Sequence, residues 1–359
     1  MTKLDRAPEI VRLASELKAD VRDGPVGGII QYCKRKLNGW VREAGGAPRA
    51  LADLERLVCA KLRLEFEEVW TDQDLERVVR KYVAMGEHVF ATLRTDLSPK
   101  TFAALIERQR VDPESPDRYI AVVDCRGEKA FRRFFTRWHE IAHLMTLTRQ
   151  LELPFHRSTS DRSPLERLMD VVAGEIGFHD ALLTPALNDE IRSNGRLSFA
   201  GVERVRQAAF PEASFSATLN ACVARCPHPV ILIEAGIDYT KTERERLESN
   251  QLRLIPAEAP EPKLRVLVVI RGEHARASRF RVDRFMTVPP DSIVSRRFFQ
   301  QREDTAVFDD GSAVEELGIW RHSDGTSVGT GRVRVATRKA GDRILALIQP
   351  DGARRASRT

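Results

Sequence analysis

Cysteine is scarce in this sequence. The five residues Cys33, Cys59, Cys125, Cys222 and Cys226 are scattered over 359 positions and odd in number. A small disulfide-stapled domain needs a denser, even set, so the pattern points to a reducing compartment and a cytoplasmic protein. Long apolar runs are also missing. The longest, such as Leu267 to Ile270, have strand length, whereas a bilayer span needs about 20 apolar residues. The opening residues, MTKLDRAPEIVRLASELKADVR, carry no apolar core of signal-peptide type. No membrane partner is expected. A large excess of one charge is absent as well: 58 Lys and Arg stand against 52 Asp and Glu, a net +6. That excess permits a nucleic-acid or acidic-protein partner without demanding one. With 42% hydrophobic and 31% charged residues, the chain has a globular and not a disordered composition. Its length favours two or three domains.

No internal repeat and no long low-complexity segment breaks the chain. Residues 5–20 and 27–44 read as helices separated by Asp23-Gly24-Pro25, and 49–63 as another after Gly45-Gly46-Ala47-Pro48. Residues 62–66 and 89–93 look strand-like around a charged helix at 74–84, and 119–123 is a short buried-strand candidate. Helical patterns follow at 131–145 and 164–178, and 186–234 reads as mostly helical up to Cys226-Pro227-His228-Pro229. The prolines of 255–262 mark a linker. Beyond it the pattern turns to β, at 264–270, at 280–287, and in a hairpin of 331–337 and 343–349 around Lys339-Ala340-Gly341-Asp342. The fold class is therefore α+β. The domains expected are an N-terminal helical extension (1–48), a mixed helix-and-strand domain (49–185), a small helical domain (186–254), a β-rich domain (260–350) and a basic, disordered tail (351–359).

From Phe131 to Met145 the apolar residues fall at 131, 134, 135, 138, 141, 142 and 145, a helical period. Within it stands His139-Glu140-Ile141-Ala142-His143. Residues four apart share a helix face, so His139 and His143 can offer two imidazoles to one metal. Glu140, one position round, can reach the attacking water instead of the metal, which is the mechanical content of this motif. The alternative is a pair of surface histidines on a charged helix. A catalytic zinc takes three protein ligands and keeps one position open. Ser163-Pro164-Leu165-Glu166 opens the next helix, with Ser163 as N-cap and proline in the first turn. Glu166 is the candidate third ligand, though Ser-x-x-Glu is also a capping box. Asp170, four residues on and on the same face, can accept a hydrogen bond from the distal nitrogen of a ligand histidine. Glu175 is the rival ligand. It lies half a turn out of phase with Glu166, so both cannot face one metal.

The run Arg133-Phe134-Phe135-Thr136-Arg137-Trp138-His139-Glu140-Ile141-Ala142-His143, preceded by a strand and followed by Glu166-Arg167-Leu168-Met169-Asp170-Val171-Val172-Ala173-Gly174, resembles the ImmA/IrrE family of metallopeptidases. The family pattern is close to R-x-x-F-T-x-A-H-E-x-G-H, then E-x-x-A-N-x-F-A-A. Here Ala142 replaces a glycine, Met169 a small residue and Val172 an aromatic one. The resemblance implies a zincin-like (gluzincin-like) peptidase domain, a small helical domain, and a C-terminal GAF-like sensor domain. It implies a zinc endopeptidase, with manganese as the alternative metal in the cell. The substrate implied is a helix-turn-helix transcriptional repressor, whose cleavage releases stress, DNA-damage or mobile-element genes. The competing reading is a non-catalytic, signal-sensing regulator that binds protein or nucleic acid. An intact Glu140 argues against it, because pure binding needs no general base there.

Three other groups carry weaker chemistry. Cys222, Cys226 and His228 have loosely metal-like spacing, but no second pair follows and core packing is the simpler account. His156 and His179 could donate to a developing oxyanion, or be ordinary loop and helix-end residues. Between 271 and 302, eight arginines interleave with four phenylalanines. Arg279, Arg281 and Arg284 are the candidate nucleic-acid contacts, which makes single-stranded DNA the leading activating signal and a small molecule in a GAF-like pocket the alternative. The alternation in Arg279-Phe280-Arg281-Val282 equally suits a solvated strand face over packed phenylalanines.

Overall fold

The computed structural model describes residues 3–97, 100–108, 117–148, 155–158, 163–251, 260–276, 281–300, 311–322 and 324–352. The chain is a mixed α+β protein with two sheets. It divides into two compact units, Met1–Leu183 with Arg206–Thr218 and Thr184–Val205 with Leu219–Thr359. The chain thus passes between them three times.

The first unit begins with α1 (Pro8–Glu16), α2 (Pro25–Glu43) and α3 (Leu51–Leu62), followed by β1 (Leu64–Val69) and α4 (Asp72–Ala84). Local chemistry sets the start of α4. The Thr71 hydroxyl accepts from the Asp74 N–H at 3.1 Å, and the Asp74 carboxylate accepts from the Thr71 N–H at 3.0 Å. That reciprocal pair satisfies donors the helix itself cannot. Leu75, Val78, Val79 and Tyr82, at helical spacing, are its buried face.

Residues 89–93, read from the sequence as strand-like, fall instead in a 3-10 turn (His88–Thr92) and the start of α5 (Leu93–Asp96). The β-branched Val89 and Thr92 favour a strand locally. Burial decides otherwise, because the turn puts Phe90 and Leu93 together in a core with Tyr82 and Leu97. Next come β2 (Thr101–Glu107), β3 (Tyr119–Asp124), α6 (Arg133–Met145), β4 (Phe155–Ser158) and α7 (Pro164–Gly177). The sheet order is β1-β3-β2-β4, with β1 parallel to β3 and the other pairs antiparallel.

The helices α8 (Asp180–Asn194), α9 (Phe199–Ala209) and α10 (Phe215–Arg225) carry the three passages between units. The second unit then adds β5 (Ile231–Asp238), α11 (Lys241–Gln251), β6 (Lys263–Arg271), α12 (Glu273–Arg276), α13 (Ile293–Phe299), β7 (Gly311–Glu316), β8 (Arg332–Ala340) and β9 (Arg343–Pro350). Its sheet is antiparallel throughout, in the order β6-β5-β9-β8-β7. Two sequence expectations change here. The end of the segment read as helical is β5, which supplies a strand inside the sheet. The strand expected at 280–287 is not formed over its described part, 281–287, where a turn brings Phe285 to a φ of 67°. The core of this unit gathers Ile231, Ile233, Val266, Val335, Ala346 and Ile348 from the sheet around buried Trp320. Among the described residues no helix is long and apolar enough to cross a membrane.

Candidate metal centre

α6 and α7 build the site. α6 is buried from Trp138 through Met145, with His139, Glu140 and His143 each 1% exposed or less. Its aromatic residues seat it: the Phe134 ring packs 5.2 Å from Phe178 and 6.5 Å from Phe210, and those two lie 4.9 Å apart. The α7 end comes close to α6, since a Cβ placed on Gly177 would lie 2.8 Å from Cγ of Trp138. On α2, Lys36 donates from Nζ to the Met145 carbonyl at 3.3 Å, closing the C-terminal turn of α6.

The helical phase brings both imidazoles to one point. His139 Nε2 and His143 Nε2 are 3.1 Å apart. The Glu166 carboxylate meets both, Oε2 at 3.0 Å from His139 Nε2 and Oε1 at 3.1 Å from His143 Nε2. The Ser163 hydroxyl caps α7 by accepting from the Glu166 N–H at 3.2 Å, while the Glu166 side chain is turned to the histidines. Burial pushes the Glu166 carboxyl up, but hydrogen bonds and charge from His139 and His143 outweigh it and hold the group well below the usual carboxylate range. Glu166 is therefore an anion beside two nitrogens. Asp170 lies one turn along, its Oδ1 2.9 Å from His139 Nδ1. In the tautomer whose Nδ1 donates to Asp170, the Nε2 of a neutral His139 is left as a donor atom for a cation shared with Glu166 and His143. Glu175 is elsewhere, paired with Lys34 at 2.8 Å.

These residues fit a divalent cation. His139, His143 and Glu166 offer ligand atoms all within 4.8 Å of one another, the one such group of three among the described residues. Donors on a tetrahedron at zinc distances of about 2.0–2.1 Å stand roughly 3.3 Å apart, close to the separations observed. Two nitrogens and a carboxylate oxygen are also a zinc-type set. Cys222, Cys226 and His228 form no comparable group, and both cysteines are buried. His179 is not at the centre. Its Nε2 lies 2.9 Å from Asn38 Oδ1, and its Nδ1 accepts from the Ala181 N–H at the start of α8. The side chain of His156 lies outside the described residues, as does Arg279. Arg281 and Arg284 are exposed and border separate cavities of the second unit.

Sequence reasoning missed the network on the opposite side of α6. Arg133 and Arg137, four apart, pair with Glu68 of β1 at 2.6 and 3.3 Å. Arg137 also reaches Glu55 of α3 at 2.9 Å, and Arg133 reaches Glu212 at 3.0 Å. The signal available was that i, i+4 pair of arginines facing away from the histidines. No protein-family model matches the chain, and no curated protein matches it in sequence.

Proposed function

We propose that the chain is a zinc-dependent endopeptidase that works through His139, Glu140, His143 and Glu166. The observation carrying this reading is the convergence of two imidazole nitrogens and a carboxylate, 3.0–3.1 Å apart, with Asp170 on the far nitrogen. A bound zinc would polarise a carbonyl and make a nearby water more acidic. Glu140 then takes the proton of the attacking water on its carboxylate and returns it to the leaving amine nitrogen as the peptide bond breaks. Asp170 holds the His139 ring in one tautomer and orientation. The burial of α6 around the site lowers the local dielectric and strengthens these polar interactions.

The step from metal binding to peptide hydrolysis rests on the motif and on the resemblance to the ImmA/IrrE family. Under that reading the first unit is zincin-like, the second contains a GAF-like sensor, and the substrate is a helix-turn-helix transcriptional repressor. Two measurements test it. Purified wild-type protein binds one zinc per chain, and His139→Ala loses it. Glu140→Gln keeps the metal and the melting temperature but loses about 10²–10⁴-fold in cleavage of repressor proteins, the usual worth of a general base. Cleavage at the wild-type rate by Glu140→Gln would refute the mechanism. Zinc uptake with no cleavage of any such repressor would favour the non-catalytic regulator.

A further inference from the structure

The second unit holds a cavity of about 860 Å³, within the size range of small-molecule sites. Its lining combines guanidinium groups with apolar surface: Arg284 and Arg321 stand with Phe285, Met286, Val288 and Ile319. Arg265 lies at the same place but is neutralised, buried and held by Glu243 at 2.8 Å. Asp283 is likewise engaged, with Arg271 at 2.8 Å. Arg284 and Arg321 differ. Among the described residues neither has a carboxylate partner: Arg284 stacks on the Phe285 ring at 4.6 Å, and Arg321 donates to the Gly325 carbonyl. Both side chains are exposed. The cavity thus carries two guanidinium groups with no carboxylate partner among the described residues, beside Asp291 and the already paired Asp283.

The backbone adds a second observation. Phe285 has a φ of 67°, a left-handed conformation that bulky side chains rarely adopt. The strain is held in place. The Phe285 N–H donates to the Val266 carbonyl at 2.7 Å, and the Phe285 carbonyl accepts from Arg265 Nη1 at 3.3 Å. Strained backbone fixed by its surroundings clusters at ligand clamps. Here it presents an aromatic ring with a guanidinium stacked upon it, at the wall of a cationic cavity.

We propose that this cavity binds a small planar aromatic phosphate, a nucleoside monophosphate in chemical class, with the phosphate on Arg284 and Arg321 and the ring against Phe285 and Ile319. Guanidinium groups suit the anion through paired hydrogen bonds. Flat aromatic and aliphatic surface suits the base by stacking and burial. The inference is independent of the metal centre.

The test is calorimetric titration of the full chain with AMP, adenosine and ribose 5-phosphate, repeated in His139→Ala to remove any phosphate binding at the histidines. AMP is expected to bind saturably and equally in both proteins, and more tightly than either fragment. Arg284→Ala combined with Arg321→Ala should weaken AMP by about a hundredfold, roughly tenfold for each guanidinium removed from the phosphate, with an unchanged melting temperature. Phe285→Gly, which relieves the left-handed residue, should weaken AMP and adenosine while leaving ribose 5-phosphate unaffected. Absence of saturable AMP binding would overturn the proposal, as would binding that ignores the double substitution. Ribose 5-phosphate binding as tightly as AMP would also overturn it, because the aromatic wall would then have no role.

Discussion

Glu55 shows what one residue does in a crowded charge cluster. Three carboxylates, from Glu55, Glu68 and Glu212, share the two guanidinium groups of Arg133 and Arg137. Burial pushes the Glu55 carboxyl up to about 7; Arg137 and Arg133 oppose the shift, and Glu212 and Glu68 add to it. In the unfolded chain the same carboxyl titrates at its ordinary value of 4.5. The folded state therefore holds this proton more tightly. The stabilising contribution is fully present below pH 4.5 and is lost as pH rises through 7. At about 1.4 kcal/mol per unit, the loss is of order 3 kcal/mol. Urea unfolding of wild type and Glu55→Gln at pH 5.5 and 8.5 checks this. The variant should gain on wild type as pH rises and be the more stable at pH 8.5. A difference that stays constant between the two pH values would show that Glu55 is ionised throughout.

Among the elements, the packing of α7 on α6 governs the site, and glycine decides it at one position only. Gly177 has no room for a methyl group, because Trp138 lies 2.8 Å from where the Cβ would sit, whereas Gly174 on the same helix has nothing within 4 Å. Gly177→Ala should lower stability by about 1–3 kcal/mol through overpacking and weaken zinc binding by displacing Trp138, the neighbour of His139. Gly174→Ala should stabilise by about 1 kcal/mol, the helix-propensity difference. Melting curves and zinc titration of the two variants separate a tight crossing from a general effect of alanine; equal behaviour would show that α7 is free to slide. α6 and the histidine pair were legible in the sequence because a local 3.6-residue period encodes them, and Glu166 with Asp170 because helical phase separates them from Glu175. β2 gave no such signal. Its Thr101-Phe102-Ala103-Ala104-Leu105-Ile106 is buried on both faces, so it lacks the alternation that marks a half-exposed strand. β5 escaped notice because Ile231-Leu232-Ile233 follows a helical stretch and its partners lie far along the chain. The strand expected at 280–287 failed for the opposite reason. Alternation was present, but the hydrogen bonds that set the backbone there run from 285–288 to 264–266.

On the scale of the whole molecule, the proline-rich segment at 255–262 looks like a place to cut, yet the sheet of the second unit draws on both sides of it. β5 precedes the segment and lies between β6 and β9, pairing with both. A chain ending at residue 258 would leave β5 with two unpaired apolar edges, a recognised route to aggregation. Such a chain should be insoluble or show no melting transition for the second unit. A monomeric product with an unchanged calorimetric profile would contradict the sheet order. The same discontinuity sets a timetable during synthesis. Translation at roughly 5–20 residues per second leaves β5 waiting on the order of ten seconds between its own emergence and that of β9. Throughout that wait its apolar edge is open to chaperones, or to the β5 of a neighbouring nascent chain. The first unit has no such delay, because its last residues, 206–218, are made before β5 begins. The histidine pair and Glu166 can therefore come together on the ribosome, ready for the metal proposed for them, while the second sheet is still unwritten.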